Sequence, residues 1–235
     1  MPQLLVNIFN LMESTMHSSI LKRVGRVLIV LGLIDIAVMI YCIFNRISYS
    51  SSFNIFAVIA GILLLRGSLR TAVVVRWFAV FMLAGFATLV FAWPFLQPIN
   101  LTLTQLRLYP GQAFITIVYM MLFFALLIWL FKELGQEPIQ VAIVEAGGKR
   151  RDIRVPVGFG VGLVVAIGIL LTIMLGGESA GRLVTMAEQQ MGPEYHYHVS
   201  SMNIAKNNRG TFVSGVVTAW NDHEIKNIPI HWEEP

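Results

Sequence analysis

Charge is scarce in this chain. Only 13% of its 235 residues are Asp, Glu, Lys or Arg, about half the share found in a soluble globular domain. So few charges cannot coat a water-soluble globule of this size. They also exclude disorder, which needs high charge and low hydrophobicity. Cysteine is scarcer still: Cys42 stands alone inside an apolar run. An intramolecular disulfide is therefore impossible, a stapled secreted scaffold is excluded, and Cys42 reads as a small buried hydrophobe. Nucleotide and zinc signatures are missing as well: the chain has no P-loop, dinucleotide fingerprint or zinc-finger spacing. The run GFGVG at 158–162 opens an apolar stretch with no strand before it, so it is not a phosphate loop.

Apolar sequence is abundant. The chain is 56% hydrophobic and its mean hydropathy is +0.71, which points to a polytopic membrane protein. Five candidate spans follow one another, at about 27–44, 49–66, 73–96, 112–131 and 157–175. The second is the weakest, because its unbroken apolar stretch runs only from Ile55 to Leu65, a length that also suits a re-entrant segment. Trp77, Trp93, Tyr109 and Trp129 fall near span ends, where amphipathic rings favour the headgroup layer.

The basic residues orient these spans. With the N-terminus inside, the inner segments hold eleven cations: Lys22, Arg23, Arg26, Arg66, Arg70, Arg76, Lys132, Lys149, Arg150, Arg151 and Arg154. The two outer loops hold only Arg46 and Arg107. Cytoplasmic segments are enriched in Lys and Arg, so the pattern places the N-terminus in the cytoplasm and the C-terminus outside. The net charge of +4 is thus explained by membrane orientation, and nucleic acid is not an expected partner. A bacterial inner membrane suits a compact chain with short soluble loops.

Before the first span, Leu5, Phe9, Met12, Met16 and Ile20 form a helical stripe followed by Lys22, Arg23 and Arg26. This predicts an amphipathic helix over 1–26 lying on the inner leaflet. No cleaved signal peptide is expected, because the basic cluster precedes the first long apolar run and no small-residue cleavage site follows it. Residues 132–156 read as a cytoplasmic loop, either a solvated linker or a hairpin turning at Gly147-Gly148.

Composition shifts after Leu175. A helix over 179–191 is predicted, with Ser179 as its N-cap and Gly192-Pro193 as its stop. YHYHVSSMNI, TFVSGVVTAW and IPIHW then read as strands separated by turn-rich segments. The fold class expected is a membrane all-α bundle of five transmembrane helices with an N-terminal amphipathic helix. A small extracytoplasmic α+β domain over 179–235 completes it, with one helix and three antiparallel strands.

Few residues suggest chemistry. Asp35 is the only acid deep in a span, where a carboxylate costs about 3 kcal/mol or more unless it is paired or wet. It is either a hydrogen-bonding contact to Thr, Ser, Tyr or Arg, or part of an ion or proton path. Arg76 is read as snorkelling to the phosphates, with pairing to an intramembrane acid as the alternative. Gly158, Gly162 and Ala166 line one face of the fifth span and suit close helix packing; Ala57 and Gly61 do the same in the second. His196 and His198 stand two apart in a strand and so share a face, which makes them metal candidates together with His223 and His231. Tyr195, His196, Tyr197, His198, Trp220 and Trp232 are the candidates for binding a partner.

Three functions compete. The first, and leading, is a non-catalytic accessory, assembly or sensor subunit whose outer domain docks another membrane subunit or an extracytoplasmic protein. The second is a transporter or channel subunit in which a homo-oligomer gathers copies of Asp35. The third is a metal-dependent membrane enzyme built on the outer histidines. No cofactor is specified by the sequence, and the bilayer is the one partner that composition requires.

Overall fold

The computed structural model describes residues 2–47, 49, 53–149, 151–207 and 210–234. Its elements are α1 (Pro2–Phe44), α2 (Phe53–Leu65), α3 (Leu69–Leu96), α4 (Ile99–Leu108), α5 (Pro110–Glu133), α6 (Glu137–Glu145), α7 (Arg154–Leu175) and α8 (Glu178–Met191). The strands β1 (His196–Asn207), β2 (Gly210–Trp220) and β3 (Ile225–Glu234) follow.

Crossing about 30 Å of hydrocarbon takes about 20 helical residues. Among the described residues four helices are long and apolar enough: Met16–Phe44 within α1, then α3, α5 and α7. Their outward side chains are large and apolar. Phe91 is 79% exposed and Ile173 69%, a surface that water would not tolerate over such lengths. The chain is a multi-pass membrane protein. The second candidate span does not reach that length: α2 has 13 residues and so measures about 20 Å. The expected break between an interfacial helix and the first span is absent too, because α1 continues unbroken from Pro2 to Phe44. From Ile20 onward its inner face packs on protein, with Ile20, Leu21, Val24 and Leu28 buried. The side chains of Leu5, Phe9 and Met12 lie outside the described residues.

Two compact units make up the chain. The first comprises residues 1–84 and 123–159. In it α2 folds back antiparallel on α1, and the two backbones nearly touch at Gly25 and Gly61. A Cβ on either glycine would stand 2.7 Å from the carbonyl oxygen of the other, inside any real contact. Leu65 beside Gly25 and Ile29 beside Gly61 fix the antiparallel register. Around this hairpin Leu21, Val24, Leu64, Leu127, Leu134 and Ile139 form one core.

Residues 137–145 are helical, which corrects the expectation of a linker or hairpin. Pro138 sits in the first turn, where a missing N–H costs nothing, and Glu137 complements the helix dipole there. Ile139, Ala142 and Ile143 recur at helical spacing and are buried. Gly147-Gly148 does turn the chain, but as a helix cap. The Gly148 N–H donates to Ile143 O at 2.8 Å, the Gly147 N–H donates to Val144 O at 3.0 Å, and Gly147 has φ +77°. These are the two bonds of a Schellman motif, whose left-handed position favours glycine.

The second unit comprises residues 85–122 and 160–235. Residues 99–108, expected as loop, form α4. It is tied back to the end of α3 by Trp93 Nε1 donating to Thr102 Oγ1 at 3.2 Å and Gln97 Nε2 donating to Gln105 Oε1 at 3.1 Å. The C-terminal part follows expectation. α8 is followed by a three-stranded antiparallel sheet in the order β1-β2-β3. One detail differs: the N-cap is Gly177, not Ser179, and no side chain caps the helix. Gly192, at φ +88°, ends α8. Asn208 and Arg209 of the first turn lie outside the described residues.

α8 rests on one sheet face. Leu183 is fully buried there with Ala180, Ala187, Val199, Val217 and Ile230. Its seat is Gly215 on the central strand, where a Cβ would stand 2.7 Å from Leu183 Cδ1 and 2.8 Å from Ser201 O. A larger residue there would have to displace the Leu183 side chain and the Ser201 carbonyl of β1.

Candidate functional site

Strand alternation divides the six aromatic and histidine candidates between two faces. His196 pairs with Trp220 and His198 with Thr218 across β1 and β2. All four stand on the face away from α8. The His196 and Trp220 rings lie 5.5 Å apart, and Thr218 links Ser200 to Asn227 through hydrogen bonds. His231, opposite Ser214, shares this face. Trp220 is 5% exposed, so it supports the surface more than it forms it. Tyr195, Tyr197 and Trp232 instead pack beside the α8 core. The indole Nε1 of Trp232 is buried with no hydrogen-bond partner.

The α8 side has its own polar cluster. The Tyr195 hydroxyl donates to Glu224, and Lys226 Nζ donates to Glu224 Oε1 at 2.6 Å while lying 5.8 Å from the Tyr195 ring centroid. These bonds hold the Glu224 carboxyl below its ordinary value, Lys226 first and Tyr195 second. They raise Lys226 and Tyr195 through the same carboxylate. Tyr197 is raised chiefly by burial, and its hydroxyl donates to Gly192 O, tying β1 to the end of α8. On the opposite face burial lowers the His198 pKa, favouring the neutral ring. Among the described residues no three His, Cys, Asp or Glu side chains stand together as a metal-binding group.

In the first unit, the Asp35 carboxylate accepts a hydrogen bond from the Tyr49 hydroxyl. The donor comes from the connection after α1, so this chain reaches nine residues back from Phe44 to meet Asp35. Arg76 packs 5.1 Å from the centroid of the Phe131 ring. Gly135 leaves it room, since a Cβ there would stand 3.1 Å from Arg76 Nη2. Arg76 pairs with no carboxylate among the described residues, and its Nε is buried without a hydrogen-bond partner.

Sequence reasoning missed Glu133. It ends α5 and is 7% exposed. Arg23 Nη1 donates to its Oε1 at 2.9 Å and Gln136 Nε2 to its Oε2 at 2.7 Å. An acid beside Lys132 at a span end reads as solvated; only the burial of its surroundings by α1 and α6 makes it structural.

The small-residue stripe of α7 opens onto free space at two positions among the described residues. Nothing lies within 4 Å of a Cβ built on Gly158 or Gly162. Ala166, also assigned to that stripe, follows one turn later. Two other glycines of α7 meet α3: Gly160 O stands 3.7 Å from a Cβ on Gly85, and a Cβ on Gly168 would stand 3.9 Å from Leu96 Cδ2. Close packing by small residues occurs instead between Gly25 and Gly61, with Ala57 also buried.

Comparison with known proteins finds no match: no family model, no curated protein and no solved structure aligns significantly with this chain.

Proposed function

We propose that the chain is a non-catalytic accessory, assembly or sensor subunit of the cell membrane, and that its α8–sheet domain binds a partner outside the cytoplasm. The observation that carries this reading is the two-sidedness of the sheet. One face is sealed by α8 through Leu183 and Gly215. The other presents His196, His198 and His231 over Trp220 with no helix of the domain across it. Imidazole and hydroxyl groups around an aromatic floor suit a polar protein surface, and an extracytoplasmic protein or a neighbouring membrane subunit would supply it.

The orientation in this proposal has the N-terminus in the cytoplasm and five crossings. Two features support it. Cations concentrate in the inner segments. Also, α2 ends level with Gly25 although it is short, because Tyr49 is held back at Asp35 and α2 begins part-way down α1. A short helix that starts inside the bilayer can still finish at the cytoplasmic surface. The open Gly158 and Gly162 face of α7 would be where a second copy or another subunit packs.

The test is site-specific photocrosslinking in the native membrane. A photoreactive residue at His231, facing away from α8, is compared with one at Glu188 on α8, while an impermeant reagent probes a tag after Pro235. The reading expects a discrete crosslink from His231 only and a tag reached from outside. A tag reached only from the cytosol, or equal crosslinking from both positions, overturns it.

A further inference from the structure

A pocket in the first unit collects cations at the start of α3. Arg76, Lys149 and Arg151 line it, with Asp152 the one carboxylate, and its apolar wall includes Val73, Trp77 and Ile153. Asp152 Oδ1 accepts the Arg154 N–H at 2.9 Å at the first turn of α7. Neither Lys149 nor Arg151 pairs with a carboxylate among the described residues, and the buried Arg76 Nε has no acceptor. Three cations against one acid, with an orphaned buried donor, make this a site for an anion.

Its depth identifies the anion. α3 has 28 residues and so measures about 42 Å, about 12 Å more than the hydrocarbon thickness. Arg76 lies seven residues from Leu69, about 10 Å along the helix. Shared between the two ends, the excess puts the hydrocarbon boundary about 6 Å from Leu69 and Arg76 about 4 Å inside it, where a long side chain reaches the headgroups by snorkelling. The pocket is open on one side and has room for about 30 Å³, so one or two water-sized groups such as phosphate oxygens enter it while the rest of the ligand stays outside. The aromatic wall continues outward from Trp77, which stacks on Phe81 at 5.8 Å and tilts against Phe159 at 6.4 Å. Acyl chains would lie against such a surface.

We infer that this pocket holds the phosphate of an anionic membrane phospholipid, contacted by Arg76 from below and by Lys149 and Arg151 from the rim. Guanidinium and ammonium groups would donate to the phosphate oxygens in charge-assisted bonds, and the missing side chain at Gly135 leaves room for the Arg76 head. The inference rests on the membrane character of the chain and not on the docking role of its C-terminal domain.

The experiment is native mass spectrometry of the full chain in mild detergent, with equal amounts of phosphatidylglycerol and phosphatidylcholine. The wild type is expected to retain one phosphatidylglycerol in preference to phosphatidylcholine, and millimolar inorganic phosphate is expected not to displace it. Lys149→Gln with Arg151→Gln, both exposed positions, should weaken that preference by about fivefold per cation removed without disturbing folding. Arg76→Met should weaken it further and Arg76→Lys should restore part of it. Arg26→Gln with Arg66→Gln, cations outside the pocket, should leave it intact. No preference in the wild type, displacement by inorganic phosphate, a preference indifferent to Lys149 and Arg151, or an equal loss in the Arg26 and Arg66 variant would each overturn the assignment.

Discussion

Arg23 Nη1 donates to Glu133 Oε1 across 2.9 Å, joining positions 110 residues apart in the sequence. The two partners are unequally placed: the Arg23 side chain is 63% exposed and that of Glu133 10%. Losing one is therefore not equivalent to losing the other. A solvated Arg23 left alone remains hydrated, whereas a buried Glu133 left alone keeps only Gln136.

Arg23→Ala is accordingly expected to destabilise the first unit more than Glu133→Gln, by about 1–3 kcal/mol, because an uncompensated buried charge is the costly remnant. Thermal unfolding in detergent orders the two variants. A larger loss for Glu133→Gln would show that the glutamate is not the dependent partner.

Gly25→Val or Gly61→Val should separate α1 from α2. Each new Cβ meets a carbonyl oxygen at 2.7 Å, and forced overpacking costs about 1–3 kcal/mol. Gly162→Ala meets nothing within 4 Å and should stay within about 0.5 kcal/mol of wild type as a monomer. If Gly162→Ala changes the oligomeric state while leaving monomer unfolding alone, the open face of α7 is an interface between subunits.

Gly215→Val should release α8 from the sheet, since the added carbons compete with Leu183 and Ser201 O for one space. Faster amide exchange confined to α8 and β2, with the bundle unchanged, is the expected signature. Exchange as slow as wild type would mean that the helix is held elsewhere.

The C-terminal domain should weaken in mild acid. Burial lowers the His198 pKa below its ordinary value of 6.5, so the unfolded chain binds the proton first. The stabilisation is complete above pH 6.5 and declines as pH falls through the depressed folded value, after which both states are protonated and no further loss accrues. His198→Gln should flatten this part of the stability profile. A wild-type profile unchanged between pH 7 and pH 5 would contradict the burial of the ring.

Much of this protein is written locally. Apolar runs of span length define the helices, and strand alternation and turn residues foretell α8 and the meander at the C-terminus. Both patterns arise from side-chain periodicity, which the sequence displays directly. What only the tertiary structure decided depends on partners far along the chain. Gly147-Gly148 reads as part of a solvated linker or as a hairpin turn, and it becomes a helix cap once Ile139 and Ile143 find a core to enter. Glu133 looks solvated until α1 and α6 cover it. His196 and Tyr197 are neighbours in sequence but face opposite sides of the sheet, because a strand separates successive residues and α8 occupies only one side. Within this chain Gly25, Gly61 and Gly215 meet close neighbours, while Gly158 and Gly162 on α7 face open space. A small residue reports that a neighbour can come close, and only the folded chain determines whether one does.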